Sequence, residues 1–248
     1  MITIFLHRNG RTESATSIDR GWLNPAAGLS LWVDLTAPSI PESLILSDTF
    51  AFHRLAVDDA MSSPQRAKVD AYDGYLLSVF HAPDGEVKCF VGPAFVVSVH
   101  RDESRAIADL ADSIRHDGKA MAEGPVGLWH RIVGAGAESH RPVVEQLAAC
   151  VDSVEQRLFE KATPALVREM LDLRRRLYAL RQSARAQREV VDRLVQRESM
   201  DLSVEMAYRF RDVGDRLAHV TDEAAALEDR LAGALAAGAG LAGGRRWM

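Results

Sequence analysis

The strongest constraint on the fold is a series of apolar residues, spaced three and four apart, in the second half of this 248-residue chain. The series has three segments, at 147–158, 166–194 and 213–234. A sustained seven-residue period places one apolar stripe along a helix, and such stripes are buried where helices pack on one another. The sequence therefore predicts a bundle of long helices in this half, interrupted near Pro164 and at 197–201.

The first 120 or so residues have a different pattern, in which short apolar runs of strand length alternate with turn residues. The predicted strands are 2–6, 29–35, 75–80, 87–91 and 94–100, and the predicted helices are 41–46 and 103–115. An α/β region followed by a helical region puts the chain in the α+β class. The Ala- and Gly-rich end is predicted to fray from about Ala237, since each glycine lowers helix stability by roughly 1 kcal/mol relative to alanine.

Composition argues against several classes of function. The net charge of -5 disfavours binding to nucleic acid or to anionic lipid, because both are polyanions. Cys89 and Cys150 have neither the spacing of metal ligands nor a disulfide framework, and reduced thiols suit a cytosolic compartment. The longest apolar stretch, 231–244, is shorter than the 20 or so residues that a membrane span requires, so the chain is not expected to cross a membrane.

Signatures of catalysis are missing from the sequence. It has no HExxH zinc pattern, no Gly-Lys-Ser/Thr phosphate loop and no serine in a G-x-S-x-G elbow. The chain is therefore predicted not to be an enzyme.

An arginine-rich stretch at 168–197 leaves two interpretations open. A basic stripe on a helix could bind nucleic acid. Glu and Asp residues are interleaved with the arginines, however, and this pattern favours a solvated helix face crossed by ion pairs.

Two acidic phrases, far apart in the chain, carry the candidate chemistry. The first, HRLAVDD, ends in the adjacent carboxylates Asp58 and Asp59 and precedes a basic run at 65–68. The second, FRDVGD, contains Asp212. Neighbouring residues on a helix point about 100° apart, so Asp58 and Asp59 cannot face the same way. Spacing alone favours a solvated helix start for this pair, with basic side chains bridging to nearby acids.

Together these phrases resemble the cytosolic domain of the CorA family of divalent-cation transporters, ZntB-like relatives included. The resemblance covers about residues 30–235 in family order. It departs from the family pattern at Arg54 and Ala67, where the family usually has proline, and at Asp58, where it usually has glutamate. The membrane spans and the Gly-Met-Asn signature of the family do not occur in this sequence.

The resemblance implies how the α+β fold is arranged. An α/β/α sandwich domain would occupy residues 1–120. A bundle of long helices and a stalk helix would occupy residues 121–248.

The resemblance also implies a metal site between subunits. Its ligands would be Asp59 of one subunit and Asp212 of the next, with Asp58 as an auxiliary carboxylate. The implied ion is Mg²⁺, with Co²⁺ or Zn²⁺ as alternatives, and a hard cation such as Mg²⁺ takes oxygen ligands and keeps several of its waters. The implied partners are divalent cations and identical subunits, which form a pentamer in the family, and not nucleic acid.

The implied function is that of a regulatory domain, which senses divalent cation and biases a magnesium or cobalt transporter towards a closed state. Such a domain would be cytoplasmic, and at the inner face of the cell membrane where it is attached to a transporter. It would meet the membrane only through spans that this chain lacks. Two alternatives stay open: a domain of a Zn²⁺-handling, ZntB-like transporter, and a soluble scaffold or interaction protein that has the fold without a pore.

Overall fold

The computed structural model describes residues 1–62, 65–196 and 202–244, with the side chains of Phe159 and of 238–244 left aside. The strands are β1 (Ile2–Arg8), β2 (Arg11–Ala15), β3 (Ser30–Thr36), β4 (Lys68–Tyr72), β5 (Tyr75–Ala82), β6 (Gly85–Val91) and β7 (Phe95–His100). The helices are α1 (Ile40–Asp48), α2 (Arg54–Met61), α3 (Arg105–Asp117), α4 (Gly124–Glu138), α5 (Arg141–Glu160), α6 (Pro164–Gln196) and α7 (Val204–Gly244).

The strands form one mixed sheet in the order β2-β1-β3-β7-β6-β5-β4. All neighbours are antiparallel except β3 and β7, which run parallel in the middle of the sheet. The five predicted strands correspond to β1, β3, β5, β6 and β7. Their runs of Val, Leu and Phe are buried because helices cover the sheet on both faces.

Helices on the two faces complete a sandwich. On one face, α1 and α2 bury Leu46 and Ala56 in a core that includes Phe90 of the sheet. On the other face, Ile107 of α3 and Trp129 of α4 lie in a second core. This arrangement, followed by long helices, confirms the predicted α+β fold with an α/β/α sandwich.

The apolar stripes predicted from the seven-residue period are buried between α5, α6 and α7. Val151, Leu177, Ala184 and Leu217 have no exposed surface. The bundle that the sequence predicts is therefore the one that the chain forms.

The bundle and the sandwich share a core. Trp129 of α4 packs on the sheet and also against Phe210 of α7, with ring centroids 5.0 Å apart. The predicted domain boundary near residue 120 stays a prediction. So does fraying from Ala237, although α7 is helical as far as Gly244.

Ion pairs cross the arginine-rich face of α6, as predicted. Arg157 of α5 makes two hydrogen bonds to the carboxylate of Glu169, at 2.9 and 2.8 Å. Within α6, Arg185 lies 3.5 Å from Glu189, which is one turn away. The four side chains are between 45% and 67% exposed, so the pairs fit a salt-bridged helix face.

The sequence does not predict the strands β2 and β4. They are the two edge strands of the sheet: β2 is largely polar, and β4 alternates charged residues with Val69, Ala71 and Tyr72. The turn before β2 has positive φ at Asn9 (51°) and Gly10 (74°), as a two-residue hairpin turn requires. Pairing with a neighbouring strand, rather than an apolar pattern of their own, makes these segments extended.

Candidate metal centre

The helix that carries Asp58 and Asp59 corrects one expectation from the sequence. The pair was expected at a helix start, but α2 begins at Arg54, and both carboxylates lie in its last turn. His53 caps the start of the helix, where its Nδ1 accepts a hydrogen bond from the backbone N–H of Leu55 (3.2 Å). Carboxylates near a helix C-terminus face the negative end of the helix dipole, so cations are needed nearby.

Lys68 supplies one of these cations to Asp59. Its Nζ lies 2.5 Å from Oδ2 of Asp59 and 2.8 Å from Oδ2 of Asp70. Burial opposes the charge on Lys68, but hydrogen bonds to the two carboxylates outweigh burial and raise its pKa. The Asp59 side chain is 32% exposed, so one side of the carboxylate faces solvent. The bridging of acids that the sequence predicts for this basic run is confirmed.

Asp58 points in another direction. Its Oδ2 lies 3.8 Å from Nε of Arg54, one turn earlier on the same helix, and its side chain is 63% exposed. Asp58 and Asp59 therefore have different partners, as their helical spacing predicts. The Asp58 side chain is largely solvated.

Lys88 holds the end of the same helix, a contact that the sequence alone does not predict. Its Nζ donates to the carbonyl oxygens of Ala60 (3.2 Å) and Ser62 at the end of α2. The side chain is buried, and Glu86 Oε2 lies 3.5 Å from Nζ. Burial lowers the pKa of Lys88 despite the charge of Glu86. A lysine that alternates with apolar residues in a strand was the signal that could have revealed this contact.

Asp212 lies on the exposed side of α7. Phe210 and Val213 beside it are fully buried, and they fix the direction in which this turn faces. His130 Nε2 on α4 donates to the carbonyl oxygen of Arg209 (3.2 Å) and ties the same turn to the sandwich. Within the ranges that the structure describes, the Asp212 carboxylate forms no hydrogen bond or ion pair.

The sheet separates Asp59 from Asp212 within one chain. Ala56 and Ala60, which neighbour Asp59 on α2, lie in the core on one face of the sheet. Phe210, which neighbours Asp212 on α7, lies in the core on the other face. One chain therefore does not bring the two predicted ligands together. Among residues 1–62, 65–196 and 202–244, no group of three or more His, Cys, Asp or Glu side chains could hold a metal ion.

A second polar cluster is buried where the parallel strands β3 and β7 end. Ser98 Oγ donates to Oδ1 of Asp34 (2.5 Å) and accepts a hydrogen bond from Nε1 of Trp32 (2.9 Å). His100 Nε2 lies 3.2 Å from the same carboxylate oxygen, and its Nδ1 lies 2.6 Å from the carbonyl oxygen of Asp102. From the sequence, Asp34 is only one residue of the predicted strand 29–35.

Both ring nitrogens of His100 face an acceptor, so only the protonated imidazole satisfies both contacts. Burial opposes that charge, but the hydrogen bond and the charge of Asp34 outweigh burial and raise the pKa of His100. The pairing follows from the alignment of β3 with β7, which sets Thr36 opposite His100. The register between two strands that are distant in the chain cannot be predicted from the sequence of either strand alone. The cluster acts as a buried ion pair that joins the two central strands.

Comparison with known proteins places these features in a family. A family model described as "CorA-like Mg2+ transporter protein" matches residues 29–235. The "Putative metal ion transporter YfjQ" of Bacillus subtilis (strain 168) is 29% identical over 197 residues, which are 77% of this chain and 62% of YfjQ.

Two solved structures are similar to this fold. The complete CorA magnesium transporter from Methanocaldococcus jannaschii gives a TM-score of 0.84 at 16% identity, over 99% of this chain and 78% of that one. The ZntB cytoplasmic domain from Vibrio parahaemolyticus RIMD 2210633 gives 0.77 at 11% identity, over 94% of both chains. At these identities the likeness establishes the fold, a mixed sheet with long helices.

The fold is thus shared with the CorA magnesium transporter and with the ZntB cytoplasmic domain. Since the family match covers most of its length, the chain belongs to the family of CorA-like Mg²⁺ transporter proteins. This confirms the family predicted from the two acidic phrases, and the family is one of transporters rather than of enzymes. The chain spans 62% of the length of YfjQ. None of the helices in the described ranges is both long enough and apolar enough to cross a membrane.

Proposed function

We propose that this chain is the cation-sensing domain of a CorA-like metal ion transporter, in which Mg²⁺ binds between identical subunits. The observation that supports this most is the position of Asp59 and Asp212. Both carboxylates reach the surface, but on opposite sides of the sheet. Two copies of the chain side by side could join them, whereas one copy cannot.

The ligand chemistry suits a hydrated hard cation. Mg²⁺ takes oxygen ligands and usually keeps several waters, so one or two carboxylates suffice to hold it. Asp59 and Asp212 would be the principal ligands, and the solvated Asp58 would add a third carboxylate through a water. Co²⁺ would accept the same oxygen donors.

Binding between subunits would act on a two-state equilibrium. Without metal, the carboxylates of neighbouring subunits repel one another, and this repulsion disfavours the closed arrangement. A cation that binds only across the closed boundary shifts the equilibrium by its difference in affinity for the two states. The domain would then report a fall in cation concentration as a loosening of the assembly on the cytoplasmic side of the transporter.

A thermal-melting titration tests the proposal. At ten times the dissociation constant, Mg²⁺ should stabilise the fold by about 1.4 kcal/mol and raise the melting temperature by about 3–6 °C. The double variant Asp59→Asn, Asp212→Asn should lose this rise. A matched control, Asp109→Asn with Asp229→Asn, removes two exposed carboxylates from other surfaces and should keep it. An equal rise in both double variants would rule out this site.

Sedimentation of the same samples tests the subunit arrangement. Mg²⁺ should favour a larger assembly of the wild-type chain and not of the Asp59→Asn, Asp212→Asn variant. A monomer at every Mg²⁺ concentration, with no change in melting temperature, would instead favour a scaffold protein that kept the fold and lost the sensor.

A second candidate is a Zn²⁺-handling domain, which the similarity to the ZntB cytoplasmic domain favours. Zn²⁺ prefers nitrogen and sulfur ligands, and the three proposed ligands are all carboxylates. Calorimetry with Zn²⁺ and with Mg²⁺ separates the two candidates. Tighter binding of Zn²⁺ that depends on Asp59 and Asp212 would support the second.

A further inference from the structure

Lys68 already places a positive charge where a metal ion would sit. Its ammonium lies 2.5 Å from Oδ2 of Asp59 and 2.8 Å from Oδ2 of Asp70, so two carboxylates share one cation. A cation bound to an acidic pair in this way takes up one of the two Asp59 oxygens that a metal could use. The carboxylate proposed as a metal ligand is therefore not vacant within its own chain.

The local structure explains this arrangement. Lys68 and Asp70 alternate along β4, so both side chains leave the strand on the same side, the side on which α2 lies. β4 is the last strand of the sheet, so this side-chain pair lies at a sheet edge. The side chains of Lys68, Asp59 and Asp70 are 29%, 32% and 43% exposed. The ammonium can therefore leave Asp59 without crossing a packed core.

A metal ion and the ammonium compete for the Asp59 carboxylate. Mg²⁺ binds a carboxylate oxygen at about 2.1 Å, so an ion on Oδ2 and the present position of Nζ would lie within about 5 Å of each other. At that distance two positive charges repel, and the water shell of the ion needs the same space. Asp70 can keep the ammonium after it leaves Asp59, which makes the exchange a rotation of one side chain.

We propose that Lys68 is a tethered competitor of the metal: it neutralises Asp59 in the metal-free chain and must be displaced before a divalent cation binds. This inference rests on the proposed function, because it concerns the same site. The consequence of this competition is a higher threshold concentration of divalent cation. The site responds only at a cation concentration high enough to displace an ammonium that is always present.

A role in positioning Asp59 predicts the opposite effect. If Lys68 only held the carboxylate in place for the metal, its removal would weaken cation binding. If Lys68 competes, its removal strengthens binding. The sign of the change in cation affinity when Lys68 is replaced therefore distinguishes a positioning role from a competing role.

The experiment is a Mg²⁺ titration of the full chain, in which the melting temperature and the heat of binding are both measured. Lys68→Met should lower the midpoint concentration about fivefold, since a partly exposed ion pair has a strength of that order. Lys119→Met removes an equally positive but exposed side chain far from Asp59 and should leave the midpoint unchanged. Lys68→Gln is a second variant, which keeps a polar side chain if methionine at the sheet edge impairs folding.

The outcomes are distinguishable from those of the proposed function. A wild-type response that depends on Asp59, with an unchanged or higher midpoint in both Lys68 variants, overturns the competitor role alone. The absence of any Asp59-dependent response in the wild type and in the Lys68 variants overturns both. A response that appears only in the Lys68 variants supports competition in its strongest form.

Discussion

Lys88 Nζ on strand β6 donates a hydrogen bond to the carbonyl oxygen of Ala60 in the last turn of α2, at 3.2 Å. The last carbonyls of a helix have no partner within the helix, and here a side chain from the sheet satisfies one of them. Since Lys88 is buried, its ammonium takes the place of water at this helix end. The contact ties the turn that carries Asp59 to the centre of the sandwich.

Replacing Lys88 by methionine should lower the free energy of unfolding by about 1–2 kcal/mol. Methionine keeps the apolar stem but cannot donate to the carbonyls of Ala60 and Ser62. Relief from burying a charge offsets part of that loss. Chemical denaturation measures the change, and Lys119→Met, on an exposed side chain, should stay within about 0.5 kcal/mol of the wild type. A Lys88 variant as stable as the wild type would show that the hydrogen bonds of the ammonium only offset the free-energy cost of burying its charge.

Phe210→Ala should be far more costly, at about 3–5 kcal/mol of unfolding free energy. The ring has no exposed surface and lies against Trp129 and His130, with centroids 5.0 and 5.2 Å away. Its removal leaves a cavity where α4, α7 and the sheet meet. Thermal or chemical unfolding measures the loss.

A matched variant on the same helix separates this packing effect from a general effect of aromatic residues. Tyr208 is two residues away, is 59% exposed and lies beside Arg211. Tyr208→Ala should change stability by about 0.5 kcal/mol. Equal losses in the two variants would contradict the account of Phe210 as the anchor of the turn before Asp212.

The elements that the sequence predicts are those whose own residues determine their partners. The long helices have a seven-residue apolar period that only helix packing can bury, and α5, α6 and α7 follow it. The buried strands are continuous apolar runs. By contrast, β2 and β4 are short edge strands without a continuous apolar run, and their extended form depends on a neighbour, so a search for apolar runs does not find them.

The candidate site shows the same division. Adjacent acids suggest a helix start, because carboxylates stabilise that end of a helix. In the fold, Asp58 and Asp59 occupy the opposite end, where Lys68 from β4 and Lys88 from β6 offset the unfavourable dipole. Those two contacts join residues 9 and 28 positions apart in the chain. The sequence can name the acids, but tertiary contacts decide what surrounds them.

The ion pair between His100 and Asp34 predicts a dependence of stability on pH. The pKa of His100 is raised in the folded chain, so folding gains from protonation of the imidazole. This gain is fully present below the unfolded pKa of about 6.5, and it is lost as the pH rises through the higher folded value. The difference in unfolding free energy between the wild type and His100→Gln should therefore shrink from about pH 6.5 upwards.

The comparison with His100→Gln is needed because other histidines change the pH dependence of stability in the opposite direction. Burial lowers the pKa values of His130 and His140, so both favour folding more as the pH rises. These contributions cancel when the wild type and His100→Gln are compared at each pH by urea denaturation. In an Asp34→Asn background the same comparison should lose its trend, because the carboxylate that raises the pKa of His100 is gone. A trend that survives this change would have to come from a group other than the Asp34 carboxylate.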